Sequence, residues 1–461
     1  WPLIEGGDDL PAFLWSVLLT TAAGGGLYLL FSPYRPEQLT LMESFSLVAL
    51  AWFMAGLCGA LPYYFYGLFE GSYLGAFFES ISGFTTTGAT LIGDIESLPR
   101  GLLFWRSFTQ WLGGMGIIVL SVAILPRFGF RSTAMFKAEL PGPISERVVP
   151  RLVETARRLW LIYLALTALQ TILLLISGVS FFNSLAHALT TMPTGGFSTF
   201  NASVASLENP AAEGIITLFM FGAGINFVLY YRLFKGDVSS VKENEELRFY
   251  FLTTAAAIVL ICINIYPHLA GNALEVLRTG AFQVVSIVTT TGYATANFDV
   301  WPHFARVLLF FLMFTGACGG STGGAIKQVR LLILLKYAYR ELYQMVHPSA
   351  VSSIKLGGHP LSGEIIRGVV GFSFLYILFF VLSTLALSGM GLDFITSASA
   401  VASTLGNVGP GLGQVGPMFT YQVIPPAGIA LLSIMMILGR LEIYTVLVLA
   451  LPAVRHFVRG V

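Results

Sequence analysis

The stretch Phe84-Thr85-Thr86-Thr87-Gly88-Ala89 is rich in hydroxyls, ends in glycine, and has three echoes further along the chain. They are Pro193-Thr194-Gly195-Gly196, Thr289-Thr290-Thr291-Gly292 and Gly406-Asn407-Val408-Gly409. The closing glycines, Gly88, Gly196, Gly292 and Gly409, are 108, 96 and 117 residues apart, which predicts one unit used four times. The registration extends upstream, because nine residues before each glycine stand Glu79, His187, Gln283 and Ala400. A single strip of this kind reads as an ordinary helix-ending turn. Four in register, in an apolar chain, read as an ion filter. Its backbone carbonyls must replace the water around a bare cation, and glycine allows the turns this needs.

Composition supports a membrane setting. Of 461 residues, 55% are hydrophobic and 11% charged, against about a quarter charged in soluble domains. Apolar runs such as 215–231, 249–266 and 368–387 are close to the length of about 20 residues that crosses a hydrocarbon core. Cys58, Cys262 and Cys318 are far apart in apolar or glycine-rich surroundings, and read as small buried residues without disulfide or metal spacing. The chain opens at Trp1 with no evident signal peptide, and an N-terminal piece is expected to be missing. No nucleotide loop, metal cluster or Ser/His/Asp set stands out, so an enzyme is not expected, and neither a covalent cofactor nor a nucleic-acid partner is called for.

Charge gives a sidedness. Lys and Arg gather in 127–158, 232–248 and 327–367, while the segments after the strips are poor in both. The positive-inside rule then makes the basic loops cytoplasmic and opens the strips outward. Hydropathy places a helix at 10–31, a second at 41–67, a short one at 73–84 before the first strip, and another at 101–125. The order helix, short helix, strip, helix recurs over 155–234, 247–338 and 364–455. The short helices cannot span and read as re-entrant segments packed inside protein. The expected fold is an all-α polytopic membrane protein with four tandem helix–pore loop–helix units around a central pore. Its boundaries are an appended N-terminal helix at 1–37 and pore units at 38–126, 127–235, 236–340 and 341–461.

Two further segments stand out. Gly316-Ala317-Cys318-Gly319-Gly320-Ser321-Thr322-Gly323-Gly324 should break its helix, since each glycine costs roughly 1 kcal/mol there. The break is expected to form a mobile gate under the strips, with Lys327 anchoring it or lining the vestibule. Arg440, in an apolar stretch from Ile429 to Leu451, should face a cavity or a partner. It either lines the pore beneath the strips or pairs with Glu442. Glu79 either adds charge at the outer mouth or makes a hydrogen bond behind the strip, and His187 reads as a packed polar residue.

The strings Phe78-Glu79-Ser80-Ile81-Ser82-Gly83-Phe84, Trp111-Leu112-Gly113-Gly114-Met115-Gly116, Ala138-Glu139-Leu140-Pro141-Gly142-Pro143 and Gly439-Arg440-Leu441-Glu442 resemble the TrkH potassium-uptake subunits of bacteria. That family belongs with KtrB and the HKT/Trk proteins in one superfamily. The resemblance runs over essentially the whole chain. It implies potassium ions as the transported ligand and an inner-membrane location. The filter would be Thr86, Thr87 and Gly88, with Thr194, Gly195 and Gly196, then Thr290, Thr291 and Gly292, then Asn407, Val408 and Gly409. The carbonyls of the two residues before each glycine would hold the ion. The uneven lettering predicts a filter that prefers potassium but also passes rubidium and some sodium. Similarity to the HKT branch implies that serine in place of Gly88 would favour sodium. The resemblance assigns gating to the segment containing Gly316, Gly319, Gly320, Ser321, Gly323 and Gly324. It also implies a homodimer and a cytosolic nucleotide-binding (TrkA-like) subunit docked on the basic loops. Members usually carry two helices before the first unit, where one is found here. The alternative is an ion-coupled secondary transporter, a symporter of K+ or Na+ with H+ or Na+, whose inverted repeats would alternate in orientation.

Overall fold

A computed structural model describes residues 7–33, 41–124, 148–268, 272–350 and 352–447. The basic stretch at 127–147, including the Ala138–Pro143 string, and the chain beyond 447 lie outside the described residues.

The chain is helical, with one repeated order of elements. A peripheral helix, α1 (Leu10–Phe31), precedes α2 (Leu41–Tyr66), short α3 (Tyr73–Phe84) and α4 (Arg100–Ile124). The second repeat has α5 (Val148–Ile176), short α6 (Phe181–Thr191), α7 (Pro210–Ala223) and α8 (Phe227–Phe234), followed by a one-turn helix, α9 (Val238–Lys242). The third has α10 (Glu245–Ile265), short α11 (Ala273–Val288), α12 (His303–Leu312) and α13 (Gln328–Val346). The fourth has α14 (Gly363–Gly389), short α15 (Phe394–Gly406), α16 (Pro426–Arg440) and α17 (Tyr444–Leu447). Five described helices are long and apolar enough to cross a membrane, and α7 with α8 make a sixth span if taken together.

Local chemistry starts the short helices. Ser72, Asn272 and Asp393 cap α3, α11 and α15 by accepting from Gly75 N, Glu275 N and Thr396 N. Each such cap satisfies an orphan amide. The short helices are packed inside protein, as re-entrant backbone requires. In α15 every residue from Thr396 to Gly406 is buried, and its Ser and Ala content lets neighbouring helices approach closely.

The structure departs from the sequence reading in four places. The outer helix of the second repeat is not continuous. It bends by 95° between α7 and α8, where Gly224 ends one helix and Asn226 caps the next by accepting from Val228 N at 2.9 Å. In the fourth repeat α16 stops at Arg440, and Glu442 has a left-handed φ of 58°. The charged stretch from Arg340 to Arg367, with its Pro and Gly residues, reads as the most loop-like of the chain, yet it is helical up to Val346. It then forms a small hairpin of β1 (Lys355–Leu356) and β2 (His359–Pro360) around left-handed Gly357 and Gly358. Of the cysteines, Cys318 is buried, whereas Cys58 and Cys262 are only partly so; all three are free.

Candidate ion filter and the loop beneath it

The four strips have one backbone shape. Thr86, Thr194, Thr290 and Asn407 are left-handed, with φ of 52°, 56°, 60° and 55°. The closing glycines follow at 84°, 76°, 82° and 106°. Threonine is β-branched and rarely adopts this region, at a cost of order 1–3 kcal/mol per residue. Strain repeated at three threonines in equivalent positions marks a functional constraint rather than an accident.

Hydrogen bonds orient the carbonyls. Thr87 N donates to Ser82 O at 2.9 Å, Gly195 N to Thr190 O at 2.9 Å, Thr291 N to Ser286 O at 2.8 Å and Val408 N to Ser403 O at 2.8 Å. Each amide therefore points back at its own short helix. The N–H and C=O of one trans peptide unit point in opposite directions. The carbonyls of Thr86, Thr194, Thr290 and Asn407 accordingly point away from the helices, toward the space the strips enclose. Gly196 N and Gly292 N also reach back, to Thr190 O and Ser286 O, and turn the Gly195 and Thr291 carbonyls the same way.

The strips close into a ring. A Cβ placed on Gly88 would come closer than 3.0 Å to Gly195 O; on Gly196, to Thr291 O; on Gly292, to Val408 O; and on Gly409, to Thr87 O. Each strip thus abuts the next, and the fourth returns to the first. The oxygens met are those of the residues immediately before each glycine. The carbonyls of Thr87, Gly195, Thr291 and Val408 thus line the seams between strips, and each short helix ends at this ring with a C-terminal partial charge of about −0.5.

Side chains hold this ring from behind. Thr85 and Thr87 hydroxyls meet at 2.7 Å, and Thr289 and Thr291 at 2.8 Å. Asn407 Nδ2 donates to Thr87 Oγ1 and to Met436 O, both at 3.0 Å, joining the fourth strip to the first and to α16. Glu79 is fully buried, which decides between its two readings. It pairs with Arg106 at 2.9 Å and accepts from Thr90 Oγ1 and from Leu91 N, so it straps the return chain behind the strip and is not exposed at the mouth. His187 is packed, its Nε2 3.1 Å from Ser198 Oγ, and Gln283 meets Thr295 in the third repeat. Arg106 and Gln110, both buried on α4, were not singled out from the sequence. A cation and an amide in an apolar helix carried the same signal that singled out Arg440.

Directly below, residues 313–327 interrupt α12 and α13. This loop is fastened to its own repeat and to the second and fourth. Gly324 N donates to Thr290 Oγ1 at 2.7 Å, and Thr322 Oγ1 to Met192 O at 3.0 Å. Cys318 N donates to Gly224 O and Phe227 N to Gly320 O, so the bend of the second repeat receives the loop of the third. Arg440 Nη1 donates to Thr322 O at 2.6 Å. The expected alternative, an Arg440–Glu442 pair, is overturned: Glu442 binds Arg330 at 2.6 Å. Lys327 Nζ bonds Gly323 O within the loop, and Gln328 Nε2 donates to Gly316 O. Ser321 Oγ donates to Cys318 O at 2.6 Å and accepts from Gly323 N. Glu246, which sequence reading missed among surrounding charges, accepts from Gly319 N at 2.5 Å and Val329 N at 3.2 Å. Close approach explains Gly316 and Gly324. A Cβ on Gly324 would strike Gly406 O, and one on Gly316 would strike Gly324 O.

Fold and site together define a polytopic helical membrane protein built from four pore-loop units. A family model described as TrkH, cation transport protein, matches residues 10–456, and the chain belongs to the TrkH family. It is 40% identical over 446 residues to the Trk system potassium uptake protein TrkH of Escherichia coli K12, covering 96% of this chain and 91% of that one. It is 36% identical to TrkI of Halomonas elongata, over 98% of this chain and 91% of the relative. The crystal structure of the potassium transporter TrkH from Vibrio parahaemolyticus superimposes with a TM-score of 0.88 at 35% identity. That match covers 97% of this chain and 93% of the other.

Proposed function

We propose that this protein carries potassium ions across a bacterial inner membrane. The ions pass through the ring of strips 85–88, 193–196, 289–292 and 406–409, with the 313–327 loop acting as the gate below. The observation that carries the reading is the closure of the four strips into one ring whose abutting atoms are backbone carbonyls, the kind of oxygen a dehydrated cation requires. Names of relatives at 34–40% identity, all Trk system potassium uptake proteins, agree with it. Basic loops face the cytoplasm and meet a nucleotide-binding Trk partner subunit, with the membrane chain as a homodimer. Potassium is cargo here. All four strips join their helices in the same sense, which counts against inverted repeats.

Purified protein in liposomes should take up rubidium and potassium in preference to sodium, and Gly88→Ser should weaken that preference. Equal potassium and sodium uptake by the unaltered protein, or an unchanged ratio in well-folded Gly88→Ser, would sink the reading.

A further inference from the structure

We propose that Gln110 is a specificity-determining residue of the candidate filter, setting the position of the Gly195 carbonyl from a neighbouring repeat. The inference rests on the filter reading above and concerns one corner of the ring. That corner lacks what the others have. The residue before the closing glycine is Thr87 in the first strip and Thr291 in the third, each locked by a hydroxyl pair at 2.7 and 2.8 Å. In the fourth it is Val408, next to Asn407, whose amide grips the first strip and α16. In the second it is Gly195, which has no side chain to be gripped.

Gln110 of α4 fills that place. It is fully buried, its Nε2 donates to Gly195 O at 2.7 Å, and its Oε1 accepts from Phe197 N at 3.1 Å. One carboxamide thus holds the peptide groups on both sides of Gly196, using donor and acceptor together. A carbonyl oxygen has two lone pairs, so one can take Gln110 while the other faces the axis. The fit is steric as well. A Cβ on Gly195 would lie closer than 3.0 Å to Gln110 Cδ, so the amide occupies the volume a side chain would need. The rest of α4 continues the brace. Arg106, one turn earlier, donates to Ser198 O at 3.1 Å and lies 4.1 Å over the Phe197 ring. Gly114, one turn later, lets the helix approach Pro193.

Because the other three corners are fixed within the ring or from the fourth repeat, Gln110 sets the radius at which the second corner presents its oxygen. Shifting one oxygen of four penalises the larger, less strongly hydrated cation's site without removing the path. Gln110 is a positioning residue, and its signature is a change of preference between cations rather than of folded yield.

The test uses full-length protein in liposomes, with potassium and sodium uptake measured separately. Gln110→Glu has nearly the same shape and still accepts from Phe197 N, but it sets a carboxylate against Gly195 O where a donor stood. The potassium-to-sodium ratio should fall about tenfold, the scale of one lost hydrogen bond plus a repulsion. Gln110→Ala should lower it several-fold, and Gly195→Ala should be more damaging than Gln110→Ala/Gly195→Ala, because the small residue makes room for the new methyl. Where a variant carries no flux, the difference in thermal midpoint between KCl and NaCl reads the same preference. An unchanged ratio in Gln110→Glu, alongside a lost one in Gly88→Ser, overturns the role of Gln110 and leaves the filter standing. Unchanged ratios in both overturn the filter itself. If Gln110→Glu does not fold, the alanine pair decides, and strictly additive losses overturn the proposal.

Discussion

Two neighbouring regions meet in the core with opposite symmetry. The strips repeat one backbone shape four times although their side chains vary: Thr87, Gly195, Thr291 and Val408 occupy one position. The helix that follows each strip is treated differently in every repeat. α4 is unbroken from Arg100 to Ile124, α7 and α8 part at 224–226, α12 and α13 are separated by 313–327, and α16 ends at Arg440. Holding a bare cation demands equal oxygens on all sides, and backbone supplies these whatever the side chain. Blocking a path demands one obstruction. A single loop held by contacts from other repeats can be released by a single event, whereas four equivalent loops would have to move together.

The sharpest way to break this comparison is to insert a methyl in each region. Gly292→Ala places a Cβ against Val408 O at a φ of 82°. The left-handed conformation costs roughly 1–2 kcal/mol, and the overpacking adds about 1–3 kcal/mol. Preference for potassium should be lost. Gly320→Ala, at φ of 76° and 2.9 Å from Asn226 Oδ1, should keep the preference and raise uptake by loosening the loop. If both variants change selectivity, ring and loop are not separate devices.

A smaller effect is expected from Arg440→Ala. It removes a charge-assisted hydrogen bond from the loop, about 1.5–3 kcal/mol, which would shift a closed loop toward open by roughly ten- to a hundredfold. Uptake per folded protein should rise with selectivity intact, and rise less in Arg440→Lys, which keeps the charge but not the planar fork. A drop in folded yield with flat uptake would make Arg440 a packing residue.

The smallest effect is at the start of the fourth short helix. Thr396, by its hydroxyl and then its amide, holds the Asp393 carboxyl below its ordinary value. A carboxylate depressed on folding contributes stability that is complete above its unfolded value and lost as pH falls through the folded one. Thermal stability should therefore decline below about pH 4, and Asp393→Ala should cost about 1 kcal/mol at neutral pH while flattening that decline. An identical acid profile in Asp393→Ala would remove the cap from the account.

Much of the fold was readable in advance because the relevant signals are local. The short helix at 73–84, the strip after it and the break at the Gly316–Gly324 cluster follow from hydropathy, hydroxyl-glycine lettering and helix propensity. The bend at 224–226 was missed because its glycines lie in an apolar run that reads as one helix. Its cause is the loop of another repeat, whose Cys318 N and Gly320 O take the freed backbone groups.

What the sequence by itself determined is therefore the membrane class, the fourfold repeat and the glycines that close the strips, since composition, period and glycine's φ freedom act over a few neighbours, whereas the left-handed threonines before those glycines run against local preference. Partnership was decided only by tertiary structure: that Arg440 holds Thr322 and not Glu442, that Glu79 lies behind the strip, that Gln110 braces Gly195. Glu442 lies two residues from Arg440, yet Arg330, more than a hundred residues away, is the cation its carboxylate meets. Burial makes an unpaired charge costly, so the partner is whichever group packing brings within reach, and that choice has no local signature in the chain.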